Sequence, residues 1–152
     1  MQCMSRGLFK DPTVDVVPYQ QIMSDYCKIL DLDLVTMKKE EVEFSNFYEV
    51  STLYNDQVHG FVVWFDTAFA DLKHPVTLTT SPFMQTTHWK QSILYLDKPI
   101  RVRMGDKIYG SIAVRQDRKN FRELNIKMSV HTEPKHKTDR VTGKENKCFH
   151  FV

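Results

Sequence analysis

The stretch "QSILYLDKPIRVRMGDKIYGSIAVRQDRKNFRELNIKMSVHT", residues 91–132, decides the fold. It alternates runs rich in β-branched and aromatic residues with the hairpin-length turns "DKP", "MGDK" and "QDRKNF". Strands that arrive about every ten residues with such turns are typical of antiparallel sandwiches and barrels. The strands predicted in this stretch are 91–97, 100–104, 107–116 and 124–132.

The same pattern continues on both sides. "VHGFVVWFDTAFA" (58–70) is apolar on both parities and predicts a strand buried on both faces, with Gly60 marking a bulge or a close backbone approach. A short helix is predicted over "VPYQQIMSDY" (17–26), with Pro18 suited to its first position. "TMKKEEVEF" (36–44) reads as a charged connector with one helical turn. The other predicted strands are 27–35, 42–52, 75–81 and 147–152.

The predicted fold class is therefore mainly β. We expect an antiparallel β-barrel domain of about eight to ten strands with a short N-terminal helix. Its length of 152 residues fits one domain.

Composition and charge do not indicate a polyanion-binding, a membrane-spanning or a secreted protein. A net charge of +2, from 21 basic and 19 acidic residues, points to no polyanionic partner. No apolar stretch is long enough to cross a bilayer, and the start "MQCMSRGLFKDPTVDVV" lacks the apolar region of a secretory signal. The three cysteines, Cys3, Cys27 and Cys148, form no CxxC pair and indicate reduced thiols of an intracellular protein.

Catalytic motifs are sparse. Only five glycines are present, with no Gly-rich phosphate loop, and neither GxSxG nor HExxH occurs. His131, His136, Cys148 and His150 could converge on a metal only if the tail folded back, so no metal site is predicted. As a freestanding enzyme the chain is underequipped.

A nucleic-acid surface is also not predicted. "IRVRMGDK" and "VRQDRKNFR" carry basic residues, but acidic residues are interleaved with them, as on a solvated strand face. Phe61, Trp64 and Phe65 lie in the most apolar strand and are expected in the core instead of on a base-stacking surface.

The segment "TTHWKQ" (86–91) has two interpretations. His88 and Trp89 either pack as loop residues on their own sheet or form one wall of a site for a cationic side chain. Tryptophan offers a π face to a guanidinium or ammonium group, and histidine can hold a partner carboxylate. Spacing alone leaves both interpretations open.

A family resemblance runs through most of the chain. "THWKQSILYLDKPIRVRMGDKIYGSIAVRQDRKNFRELNIKMSV" resembles the C-terminal barrel of the protein arginine methyltransferases. "DPTVDVVPYQQIMSDYCKILDLDLVTMKKEEVEF" resembles that family's lead-in to the barrel, and "VHGFVVWFDTAF" with "LTTSP" its paired central strands. The likeness covers about residues 8–132, and THWKQ between matching strands is its most specific element.

The resemblance implies a function and site residues. Such enzymes transfer methyl groups from S-adenosylmethionine to arginine side chains of proteins, and the THW signature is most typical of type I members, which make asymmetric dimethylarginine. Carried over, His88 would pair with an acidic residue of the cofactor domain as part of the catalytic centre. Trp89 would line the arginine channel, and Thr87 would hold the loop.

One departure from the family pattern limits these expectations. The Gly-rich cofactor motif and the loop with two glutamates lie upstream of the family's barrel, and neither is in this sequence. S-adenosylmethionine would therefore be bound by a missing N-terminal domain, and the fragment would be inactive alone. Residues 1–16 would be a remnant of the dimerisation arm or lead-in, and 17–152 the barrel domain.

The expected partners follow from the same resemblance. They are arginine-containing protein substrates such as Gly/Arg-rich segments and histone tails, with a homodimer in the intact enzyme, no direct nucleic acid and no membrane. The expected location is the cytoplasm and nucleus. Two alternatives stay open: a stand-alone module that binds basic peptides or single-stranded nucleic acid, and a catalytically inactive regulatory family member.

Overall fold

The computed structural model describes residues 11–135 and 144–151, the latter by their backbone. This part of the chain is mainly β, and helical structure in it is limited to two 3-10 turns, Tyr19–Gln21 and Lys39–Val42. The strands are β1 Thr13–Asp15, β2 Phe44–Ser51, β3 Asp56–Val63, β4 Asp66–Phe69, β5 Val76–Thr79, β6 Gln91–Val102, β7 Lys107–Gln116, β8 Leu124–Glu133 and β9 Lys144–Phe151.

The strands form three antiparallel sheets. Their orders are β1-β6-β3, β2-β7-β8-β9 and the hairpin β4-β5. The antiparallel, mainly β prediction is confirmed. Closure into a barrel is not confirmed, because no sheet closes on itself within the described residues.

One hydrophobic core joins the two larger sheets. It takes the inward side chains of β6 from one sheet and of β7 and β8 from the other, where buried and exposed positions alternate. Packing these faces together removes apolar surface from water, which is the main force holding the two sheets together. The buried core residues are Tyr48, Val58, Leu94, Leu96, Val102, Ile108, Ile112, Met128 and Val130.

Thr52 fixes the corner at which the chain passes between these sheets. Its side chain is 2% exposed, and its hydroxyl donates a hydrogen bond to the carbonyl of Arg103. The amide of Thr52 donates to the carbonyl of Asp106 at 2.9 Å, and the Gly105 amide donates to the carbonyl of Thr52 at 2.7 Å. The β2–β3 and β6–β7 connections are thus bonded to each other.

The Tyr48 hydroxyl supplies a hydrogen bond that the β7–β8 ladder lacks. A Cβ at Gly110 would lie 1.8 Å from the carbonyl oxygen of Ser129, so only glycine permits this approach. The Ser111 amide donates to the Ser129 hydroxyl at 2.9 Å instead of to its carbonyl. The Tyr48 hydroxyl donates to that carbonyl at 2.8 Å, so this partly buried acceptor is satisfied.

Two predicted elements near the start are wrong. Of the helix predicted over 17–26 only a single 3-10 turn forms, because the residues after it bond to the end of β2 and the residues that follow β2. The Leu53 amide donates to the Met23 carbonyl at 2.7 Å, and the Asp25 amide donates to the Ser51 carbonyl at 3.1 Å. The strand over 27–35 does not form. Asp33 accepts hydrogen bonds from the Val35 amide and the Thr36 hydroxyl, which closes a turn there.

At two places the strand boundaries in the structure differ from the predicted ones. The strands 91–97 and 100–104 are one strand, β6, and "DKP" is a bulge within it where the partner register shifts between Val58 and Gly60. The strand 58–70 is split into β3 and β4 at Trp64–Phe65. The prediction for Gly60 is confirmed on both counts, since a Cβ there would lie 2.6 Å from the Leu94 carbonyl oxygen.

The predictions for the C-terminal half are largely confirmed. Strand 107–116 matches β7, and 124–132 is β8 less one residue. The strand predicted at 147–152 corresponds to β9, which begins earlier and pairs with β8. Within the described residues no helix is long and apolar enough to cross a membrane.

Tyr48→Phe tests the repaired ladder. The substitution keeps the ring but leaves the Ser129 carbonyl without its donor, so we expect the free energy of unfolding to fall by about 1–3 kcal/mol. Urea denaturation measures it. The control is Tyr109→Phe on the opposite face of the same sheet, where we expect a change within about 0.5 kcal/mol. An equal effect of both substitutions would contradict the role of the Tyr48 hydroxyl.

Alkaline pH tests the same residue. Burial raises the pKa of the Tyr48 phenol above its ordinary value of 10.0, because the phenolate would lose solvation. The stabilisation is fully present below pH 10 and is lost as the pH rises toward the folded-state pKa, since the unfolded chain releases the proton first. We expect the free energy of unfolding to fall above about pH 10, less steeply in Tyr48→Phe. Identical pH slopes in the two proteins would refute this.

Candidate functional site

The predicted site residues lie on the loop between β5 and β6. The loop ends in a tight turn, in which the Lys90 amide donates to the Thr87 carbonyl at 3.2 Å. Lys90 has a φ of 56°, in the left-handed region that non-glycine residues adopt uncommonly. This turn projects His88 and Trp89 from the head of β6.

His88 and Trp89 contact each other at the surface. Their ring centroids are 3.8 Å apart with planes inclined by 33°. The Phe65 ring meets Trp89 edge-on, at 6.1 Å and 81°. His88 is exposed and Trp89 is 46% exposed, so a wall with one π face and one imidazole stands open to a partner.

Thr87 lies half-buried beneath this pair. Its carbonyl accepts the turn hydrogen bond, while its hydroxyl oxygen is buried without a hydrogen-bond partner among the described residues. Any hold that Thr87 has on the loop in this structure is therefore through its backbone.

Gln91 is a site residue that the sequence reasoning missed. Its side chain is 3% exposed; its carbonyl oxygen accepts from the Val17 amide at 2.9 Å, and its amide donates to the Thr80 carbonyl at 2.8 Å. One buried amide thus joins the lead-in, the end of β5 and the start of β6. The signal that could have found it is an amide at the head of an apolar strand.

Thr80 clamps the other end of the loop. It is 1% exposed; its amide donates to the carbonyl of Phe65 at 3.0 Å, and its hydroxyl bonds both the amide and the carbonyl of Phe65. Both ends of the loop are therefore fixed, while its tip stays exposed.

Lys90 pairs with Asp15 across the loop. The ammonium lies 3.2 Å from the carboxylate. The Val16 amide and then Lys90 lower the pKa of Asp15, because both favour its charged form. The loop's one lysine is thus engaged with a carboxylate of β1.

The aromatic residues expected in the core divide between core and surface. Phe61 packs against the core and meets Tyr48 edge-on at 5.5 Å. Phe65 is 44% exposed beside Trp89, so the core prediction is wrong for it. Trp64 is half-buried, in contact with Tyr26 and Phe83.

Open surface depressions of the described residues include one of ≈ 440 Å³ beside Cys27 and Tyr109 and one of ≈ 390 Å³ beside Asp31 and Glu43. Neither includes a residue of the loop, so a methyl donor bound there would not face the His88–Trp89 wall.

A metal site is likewise not found in the part described. No three His, Cys, Asp or Glu side chains converge there. The side chains of His136, Cys148 and His150, three of the four residues considered from the sequence, lie outside it.

Comparison with known proteins identifies the family. Residues 1–135 match the model described as the arginine methyltransferase oligomerization subdomain. Protein arginine N-methyltransferase 1 of Schizosaccharomyces pombe is 39% identical over 132 residues, which cover 87% of this chain and 39% of that protein. The Dictyostelium discoideum protein of the same name is 38% identical over 128 residues, covering 84% of this chain and 38% of its own length.

Solved structures agree on the fold. A Trypanosoma brucei PRMT1 enzyme–prozyme heterotetrameric complex with AdoHcy contains a chain that matches with a TM-score of 0.84 at 27% identity, covering 95% of this chain and 44% of that one. Arabidopsis thaliana protein arginine methyltransferase 10 matches with a TM-score of 0.86 at 21% identity, covering 93% and 42%.

The share of each relative that is matched defines what this chain represents. It spans about two fifths of the length of the curated relatives named here. The chain belongs to the protein arginine methyltransferases, as their C-terminal oligomerization subdomain.

Proposed function

We propose that this chain is the substrate-side part of an S-adenosylmethionine-dependent protein arginine N-methyltransferase and forms one wall of the cleft for the acceptor arginine. The observation that carries the proposal is the exposed His88–Trp89 pair on a loop fixed at both ends, in a chain of this family. A flat π face beside an imidazole suits a guanidinium group, which is planar and cationic.

Each loop residue has a separate role in this proposal. His88 belongs to the catalytic centre and pairs with a carboxylate of the cofactor-binding domain. Its exposure leaves the imidazole accessible to such a partner. Trp89 lines the arginine channel, and Phe65 holds its ring in place. Thr87 supports the turn through its carbonyl.

The fragment orients the acceptor and does not transfer the methyl group itself. Methyl transfer needs donor and acceptor nitrogen held in line, and this positioning supplies much of the rate. The Gly-rich cofactor motif of the family is not in this sequence, so we assign S-adenosylmethionine to an N-terminal domain and expect the fragment to be inactive alone.

The remaining expectations belong to the same proposal. They are type I activity, Gly/Arg-rich segments and histone tails as substrates, a homodimer of the intact enzyme, and a location in cytoplasm and nucleus. The oligomerization subdomain to which the chain is matched supports self-association.

An inactive regulatory partner is the second candidate. The Trypanosoma brucei structure named above pairs an enzyme with a prozyme, and this chain is similar to one chain of that complex. The glutamates that would grip the guanidinium decide between the candidates. Their presence in an upstream domain favours the enzyme, and their absence favours the regulatory partner.

Substitutions of the loop residues in the intact enzyme test the proposed function. We expect His88→Ala and Trp89→Ala to lower turnover on an arginine peptide by roughly 10–100-fold, since misplacing the acceptor removes much of the positioning. Calorimetry should show nearly unchanged cofactor affinity. His74→Ala, an exposed histidine on the β4–β5 hairpin, is the matched control. Wild-type turnover in both loop variants would return His88 and Trp89 to structural roles.

Calorimetry on the 152-residue chain tests the missing donor site. We expect no binding of S-adenosylmethionine above the heat of dilution, because the family's Gly-rich cofactor motif is not in this sequence. Tight, stoichiometric binding would contradict the assignment of the cofactor to another domain.

A further inference from the structure

We propose that Tyr26, Trp64 and Phe83, here called the aromatic cluster, form an accessory subsite for a cationic side chain that flanks the target arginine. The inference rests on the proposed function, because it assigns substrate contacts next to the same cleft wall. It goes beyond that function by naming a separate surface and the chemistry that it recognises.

The cluster brings together rings from three segments of the chain. Tyr26 meets Trp64 edge-on at 5.7 Å and 63°, and Trp64 meets Phe83 at 6.3 Å and 80°. Tyr26 and Phe83 are tilted by 39° at 6.2 Å. None of the three contacts is a face-to-face stack; an edge-to-face contact covers one face of only one of its two rings, so other ring faces remain uncovered by the cluster itself.

The cluster is not part of the hydrophobic core. Tyr26 is 68% exposed, Phe83 is 46% exposed, and neither belongs to the core cluster or packs against it. Folding therefore leaves about two thirds of Tyr26 and nearly half of Phe83 exposed, and this apolar area is left for another contact.

Its position ties the cluster to the cleft wall. Trp64 belongs to the aromatic cluster and contacts Phe83 within it. The next residue, Phe65, contacts Trp89 of the cleft wall. Phe83 lies on the same β5–β6 loop as His88. A substrate segment that places its target arginine against Trp89 would carry its neighbouring residues past the cluster.

The surrounding charges favour a cation. Residues 81–89 contain no Lys, Arg, Asp or Glu, so the loop itself brings no fixed cation. The nearest lysines along the chain are engaged, Lys90 with Asp15 at 3.2 Å and Lys28 with Asp31 at 2.7 Å. Asp25 adds a carboxylate next to Tyr26 in the sequence, and its Oδ1 also accepts a hydrogen bond from the Ser51 amide at 2.6 Å. Aromatic faces attract guanidinium and ammonium groups through their quadrupole.

Tryptophan fluorescence of the 152-residue chain tests the subsite directly. The chain has two tryptophans, so Trp89→Phe leaves Trp64 as the only reporter. The probes are the peptide Gly-Arg-Gly-Gly-Arg-Gly and the same peptide with its second arginine replaced by citrulline, which keeps the shape and removes the charge. We expect a saturable change with the first peptide and a roughly five- to tenfold weaker Kd with the second.

Variants of the cluster supply the controls. Tyr26→Leu keeps apolar bulk and removes the π face, so we expect the arginine peptide to bind about as weakly to it as the citrulline peptide binds to the parent chain. Phe121→Leu changes a ring that is 71% exposed on the β7–β8 connection and should leave binding unchanged. Circular dichroism of each variant checks that the sheets are retained.

The outcomes separate this inference from the proposed function. Equal affinity for the two peptides, or unaltered binding by Tyr26→Leu, would overturn the subsite even in an enzyme that methylates arginine.

In the intact enzyme, the subsite requires that Tyr26→Leu raise KM for peptides with a flanking arginine while kcat stays constant. Impaired association between the domains, with peptide binding unchanged, would make the aromatic cluster a domain contact and overturn the proposal. Charge-dependent binding without any methyl transfer would support the subsite and count against the proposed enzyme.

Discussion

The buried amide of Gln91 is the interaction on which the site depends. It satisfies a backbone donor at Val17 and a backbone acceptor at Thr80, two groups that would otherwise be buried without partners. An apolar residue of the same size would leave both unpaired, which costs more than the net gain of an ordinary hydrogen bond. The start of β6 is thus bonded to two other segments of the chain. These bonds fix the position at which the preceding loop ends.

A fixed base with an exposed tip is a useful arrangement for one half of a cleft. The left-handed turn at Lys90 and the bonds between Thr80 and Phe65 define where the loop leaves and rejoins the sheets. The imidazole and indole nevertheless remain open to solvent. Such a wall needs little reorganisation when the opposite wall and a substrate arrive, and preorganisation of this kind lowers the cost of binding.

The extent to which the sequence predicts this structure depends on how local the determining interactions are. Alternating patterns identified β7 and β8 almost to the residue, and Gly60 indicated the bulge in the β3–β6 pairing. Both features depend on side chains within a few positions. The helix expected at 17–26 failed because the backbone of Met23 and Asp25 is bonded to Leu53 and Ser51, which lie far outside that segment.

The site shows the same division. THWKQ singled out Thr87, His88 and Trp89, and the structure places the two rings together. Sequence could not show the left-handed backbone of Lys90 or the contact between Phe65 and Trp89, since both depend on where β4 meets the loop. Nor could it decide whether the sheets close into a barrel, which is set by long-range pairing. The bulge opposite Gly60 has a consequence for protein engineering: Asp97, Lys98 and Pro99 are exposed between two separately registered ladders, so a peptide tag inserted there would lengthen β6 without sliding either ladder.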